Sequence, residues 1–180
     1  THYGAAISAC EKGRQWRMAL GLLGEMRQSA VALSGIACNA AISACEKGRQ
    51  WARALGLLAG MPGGAAAPDA VSYNACITAC GRGGWWQGAL RLLGVMRQER
   101  VEPDTISYNS AIGACSESRH CQAVPSLLAE MRRGRVAADV VTYNAAISAC
   151  GKGRSWRLAL ELLGELRGAA GRPDAIGCNA

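Results

Sequence analysis

The chain has 180 residues, half of them hydrophobic, with 20 Lys and Arg against 13 Asp and Glu, for a formal charge of +7. No run approaches the roughly 18–20 apolar residues of a membrane helix, so a soluble protein with no membrane partner is expected. The positive balance favours an anionic partner, although the same charge also serves solubility alone.

Self-repetition organises everything else. The segment Tyr73-Asn74-Ala75-Cys76-Ile77-Thr78-Ala79-Cys80 recurs from Tyr108 to Cys115 and from Tyr143 to Cys150. Diverged copies run from Tyr3 to Cys10 and from Cys38 to Cys45, and a sixth begins at Cys178, each 35 residues after the last. The units are 1–34 (incomplete and divergent), 35–69, 70–104, 105–139 and 140–174, with 175–180 opening a further one. The chain is expected to be a piece of a longer array.

Residues 70–104 show the predicted elements in order. Val71, Tyr73, Cys76, Ile77 and Cys80 follow a helical spacing, and Gly81-Arg82-Gly83-Gly84 stops that helix. Trp86, Ala89, Leu90, Leu93 and Met96 then form the stripe of an amphipathic second helix, and Pro103-Asp104 ends the unit. Such a hairpin buries too little alone and must stack on its neighbours. The fold class is therefore all-α, an α-solenoid superhelix of helix-turn-helix repeats, with first helices lining the concave face. Trp16, Trp51, Trp86 and Trp156 recur in the second-helix stripe and are expected to be core. In the fourth unit Cys121 takes that place and Pro125 falls within the helix. A weak or kinked helix is expected there unless the helix starts late. Gly21, Gly56, Gly94 and Gly164 should each cost their second helices about 1 kcal/mol against Ala.

Five of the nine cysteines (Cys10, Cys45, Cys80, Cys115 and Cys150) share one repeat position. A repeat's separation exceeds the Cα distance of about 4.4–6.8 Å that a disulfide needs, and no paired zinc-type spacing occurs. Reduced, buried thiols in an intracellular compartment are expected. Nothing suggests catalysis. His2 and His120 are unrelated, and the four Asp lie a repeat apart, too far for a two-metal site. No cofactor or metal is expected.

The polar information is concentrated. All five Asn (Asn39, Asn74, Asn109, Asn144 and Asn179) occupy one position near the start of the first helix. All four Asp (Asp69, Asp104, Asp139 and Asp174) occupy the unit's last position. N-capping explains part of the Asp pattern. It does not explain Asn, a mediocre choice inside a helix. One polar pair per unit on a regular concave surface makes a reading head. A rival reading, a tetratricopeptide-like scaffold for protein partners, gives no reason to repeat that pair.

At these residues the chain resembles the pentatricopeptide repeat family. The likeness rests on the 35-residue period, the Val141-Thr142-Tyr143-Asn144-Ala145 opening, and Pro-Asp endings such as Pro68-Asp69 and Pro173-Asp174. The resemblance implies binding of single-stranded RNA, one nucleotide per repeat. It implies base selection by Asn39 with Asp69, Asn74 with Asp104, Asn109 with Asp139 and Asn144 with Asp174, favouring uridine and then cytidine. It implies that Ile36, Val71, Ile106 and Val141 sandwich the bases and that Lys12, Lys47, Arg82 and Lys152 contact phosphate, with Glu117 weakening this in the fourth unit. Gly4 and Ser34 replace the reading pair in the first unit. The family also implies a mitochondrion or plastid, RNA processing, stability, editing or translation, and further protein partners through flanking regions.

Overall fold

The computed structural model describes residues 2–29, 31–61 and 66–170. Among the described residues ten α-helices run α1 His2–Lys12, α2 Trp16–Gln28, α3 Gly35–Lys47, α4 Trp51–Ala59, α5 Ala70–Arg82, α6 Trp86–Gln98, α7 Thr105–Glu117, α8 Val124–Arg133, α9 Val140–Lys152 and α10 Trp156–Ala170. The described residues form no strand. First helices stack in sequence, α1 on α3, α3 on α5, α5 on α7 and α7 on α9, while each second helix packs on its own first helix. The expected solenoid is therefore what forms.

Small residues make the close stacking possible. One Ile in each of α1, α3, α5 and α7 (Ile7, Ile42, Ile77 and Ile112) is fully buried among small Ala and Cys side chains, as are Met26, Met96 and Met131 of the second helices. The eight described cysteines are all free thiols. Burial pushes Cys45, Cys80, Cys115 and Cys150 up to about 11 and raises Cys76 too, so these thiols stay protonated packing groups.

Helix boundaries follow from local chemistry. Asp69, Asp104 and Asp139 cap α5, α7 and α9, each within a capping box completed by Ser72, Ser107 or Thr142. Ser34 caps α3, accepting from the Ala37 amide at 3.2 Å. Each first helix closes with a left-handed residue: Arg14, Arg49, Gly84, Arg119 or Arg154. There the next amide donates back five residues, as in Gln15 to the Cys10 carbonyl at 2.8 Å, and the left-handed amide donates back three, the Schellman closure. In the fourth unit a 3-10 turn, Cys121–Ala123, precedes α8. Pro125 thereby falls in the first turn of α8, where its missing N–H costs nothing. The helix starts late and needs no kink.

The tryptophans depart from expectation. Trp16, Trp51 and Trp86 are half-buried and Trp156 is 64% exposed; Trp16 and Trp51 pack against the margin of the core rather than within it. A Cβ at Gly48 would meet the Trp16 indole, one at Gly83 the Trp51 indole, and one at Gly153 the Cys121 thiol. Ser118 stands at this place in the fourth unit, and Trp86 instead stacks on His120 with ring centroids 3.7 Å apart. The Trp16 and Trp51 indoles thus seat on the following unit's helix-ending glycine. Gly83→Ala should lower stability by about 1–3 kcal/mol, because the added Cβ would overlap the Trp51 indole and push it from its place beside Trp85. Gly94→Ala, where an added Cβ meets nothing within 4 Å, should raise it by up to about 1 kcal/mol. Thermal melting by circular dichroism reads both, and an unchanged Tm for Gly83→Ala would refute the tight seat.

Candidate nucleic-acid interface

The first turn of each first helix sets out the site. Ile36, Val71, Ile106 and Val141 are the second residues of α3, α5, α7 and α9. Their exposures are 74, 61, 62 and 61%, an unusual state for large aliphatic side chains in one recurring position. Asn39, Asn74, Asn109 and Asn144 follow three residues later, on the same helical face.

The Asn of one unit meets the Asp that caps the next. Asn39 Nδ2 donates to both Asp69 carboxylate oxygens at 3.1 Å, and Asn74 Nδ2 donates to Asp104 Oδ1 at 3.3 Å. Asn109 stands at the same place beside Asp139 and helps to lower its carboxyl. The fourth expected pair, Asn144 with Asp174, lies partly outside the described residues. Asp69 and Asp104 therefore each have two tasks, starting a helix and orienting an amide. Burial raises these carboxyl groups, but the bonds donated by Ser72, Ser107 or Thr142 and by Asn outweigh it, leaving all three below the usual range.

The capping-box hydroxyls were not singled out by the sequence reading. Ser72 Oγ donates to Asn39 Oδ1 at 2.6 Å, and the same hydroxyl lies 2.9 Å from Asp69 Oδ1. Ser107 and Thr142 direct theirs to Asp104 and Asp139 at 2.9 and 2.8 Å. The carbonyl oxygens of Asn74 and Asn109 remain buried without a donor. A hydroxyl recurring two residues before the Asn was the available signal in all three units.

The concave surface holds a groove of ≈ 930 Å³. It brings Ile106 and Asn109 together with Lys47, Arg82 and Lys152, and it also takes in Arg14 and Arg49. Five cations face a single lining carboxylate, Glu117, so the groove suits an anion. The helix-end cations are not free, however. Lys47 pairs with Glu11 at 2.8 Å, Arg82 with Glu46 at 2.7 Å and Lys152 with Glu117 at 2.8 Å, each across a unit boundary. Lys12 has no ion-pair partner within 4 Å among the described residues. Glu117, expected only to weaken the cationic row, also anchors the next unit's lysine. Among the described residues no group of His, Cys, Asp and Glu could hold a metal ion, and no helix is long and apolar enough to cross a membrane.

Comparison with known proteins agrees with this architecture. The structure is similar to the pentatricopeptide repeat protein PPR10 in complex with an 18-nt psaJ RNA element, at 19% identity and TM-score 0.75, over 91% of this chain and 24% of that one. The likeness to PPR10 from maize covers 92% of this chain and 29% of that one, at 24% identity and TM-score 0.59. The PPR domain of Arabidopsis thaliana protein-only RNase P 1, in complex with tRNA, matches at 17% identity and TM-score 0.73, over 91% and 86% of the two chains. The chain thus spans about a quarter of PPR10. No curated protein matches it in sequence. The PPR repeat family model matches residues 68–117 and 103–152, the PPR repeat model 1–31 and 141–169, and the pentatricopeptide repeat domain model 21–83. With the repeat continuous across residues 1–169 in these matches and seen as stacked helical hairpins in the fold, the chain belongs to the pentatricopeptide repeat family.

Proposed function

We propose that the chain binds single-stranded RNA along its concave groove, one base per unit, preferring uridine. The observation that carries this reading is the Asn–Asp bond repeated across unit boundaries beside a row of exposed aliphatic side chains. An exposed aliphatic on either side of a base offers it an apolar slot, where a flat ring displaces water from both faces. Between two slots the Asn amide keeps a second N–H beyond the one given to Asp. Because the carboxylate accepts only, it fixes which end of the amide is the donor. That N–H can donate to a pyrimidine carbonyl oxygen, and uracil presents two of these against one in cytosine. The helix-end cations Lys12, Lys47, Arg82 and Lys152 add positive potential along the strand.

The RNA complexes of the similar structures support the general reading; the uridine preference rests on the side chains of this chain. The role fits RNA processing, stability, editing or translation in a mitochondrion or plastid, with the repeats as a binding rather than a catalytic element. Fluorescence anisotropy with oligouridine, oligocytidine and oligoadenylate at near-physiological salt tests it. Tightest binding of oligouridine is expected. Equal binding of all three would leave only an unspecific basic groove, and no binding by the folded chain would remove RNA as the ligand.

A further inference from the structure

The turn that closes each first helix carries a feature that the base-reading row does not use. Arg14, Arg49, Arg119 and Arg154 have φ of 56, 57, 55 and 58°, and the equivalent residue of the third unit is Gly84 at 78°. Glycine is the residue this backbone favours, and Gly84 shows that the turn accepts it. Arginine at the other four places therefore works against local preference. Strained positions of this kind gather where a side chain has a task beyond the fold.

Their surroundings indicate the task. All four arginines are exposed, and none has an ion-pair partner within 4 Å among the described residues. Arg14 and Arg49 line the main groove beside Ile106 and Asn109. Arg119 and Arg154 line an adjoining depression of ≈ 470 Å³ that shares Glu117 and Lys152 with it. Of the helix-end cations two residues earlier, Lys47, Arg82 and Lys152 are already engaged by Glu11, Glu46 and Glu117. A phosphate approaching Lys47, Arg82 or Lys152 must first displace a carboxylate. A phosphate approaching the arginines displaces only water, and the guanidinium fork matches its oxygens.

We infer that the left-handed arginines Arg14, Arg49, Arg119 and Arg154 hold the phosphodiester backbone of the bound strand, while Lys47, Arg82 and Lys152 chiefly tie unit to unit. This rests on the reading of the groove as an RNA site. Gly84 then leaves a gap in the row at the third unit. An added Cβ there meets nothing within 4 Å, so the gap can be filled.

The test is the salt dependence of oligouridine affinity by fluorescence anisotropy, with circular dichroism as the folding control. Replacing all four arginines by Gly should reduce the log–log salt slope by about 2.8, at about 0.7 for each phosphate contact on a single strand. Affinity at near-physiological salt should fall on the order of a hundredfold, from roughly fourfold for each contact. Gly84→Arg should move the slope the other way by about 0.7. Arg100→Gly with Arg135→Gly makes the same backbone change (φ 59 and 55°) at turns that line neither depression, and should leave the slope unaltered. If the parent chain binds oligouridine and the fourfold Gly variant keeps its slope, this inference is wrong while the RNA reading stands. The same holds if the slope is lost instead in Lys47→Gln with Lys152→Gln. Failure of the parent chain to bind any RNA overturns both.

Discussion

Alanine at Asn74 and Asn109 together should erase about half of the discrimination between oligouridine and oligoadenylate without weakening the fold. In the proposed function each amide reads one base, and a well-placed side-chain read is worth about 1–3 kcal/mol of discrimination, so the two sites would account for roughly 2–6 kcal/mol. Stability should hold or rise. Both side chains keep a carbonyl oxygen buried without a donor, and an unmet buried acceptor costs about 1–3 kcal/mol. Removing it relieves that cost, while the capping bonds from Ser107 and Thr142 to Asp104 and Asp139 remain. Anisotropy against the three homopolymers, paired with a thermal melt, separates the two effects. An unchanged uridine preference in a folded double variant would refute Asn as the reader. A large loss of Tm would instead make these residues structural.

What was legible in the sequence divides along a physical line. Features set within one unit could be read: the helix pairs, the Asp caps, the buried first-helix cysteines and the position of Asn relative to the exposed aliphatics. Features set between units could not. Trp51 lies in the apolar stripe of its own helix, yet its seat is the glycine at 83, in the following unit. Lys47 looks like a free cation until the stacking places Glu11 beside it, 36 residues earlier in the chain. The Asn–Asp bond also crosses a boundary; strict recurrence singled out the two positions, and the family resemblance supplied their pairing before the geometry was seen. Pro125 shows the converse: a local disruption was visible, and the 3-10 turn that absorbs it was foreseen only as a condition. The left-handed arginines gave no signal at all, because backbone handedness at a turn is not written in residue type when Arg takes a place suited to Gly.

Asp104→Ser should separate the two tasks of the unit-ending carboxylate. Serine already caps a first helix in this chain, at Ser34, so α7 keeps its cap. Loss of the cap altogether, as in Asp104→Ala, should cost about 0.5–2 kcal/mol, whereas serine should be nearly neutral at pH 7. The bond that orients Asn74 is lost in both variants. Both should therefore lose base preference at the third unit, and only the alanine variant should lose Tm as well. Acid provides an independent check. The Asp104 carboxyl lies below its ordinary value in the folded chain, because the bonds from Ser107 and Asn74 outweigh its burial. A depressed carboxyl stabilises the fold above its unfolded value of about 3.9, and the contribution disappears as pH falls through the lower folded value. The parent chain, with Asp69, Asp104 and Asp139 all depressed, should lose stability steadily below about pH 4, and Asp104→Ser should lose less of it over the same window. If the serine variant keeps full base preference, the carboxylate only caps, and selectivity belongs to Asn and the aliphatic slots alone. If it loses preference with Tm intact, one side chain both starts a helix and fixes the reading amide, and the reading register follows directly from the stacking of the helices.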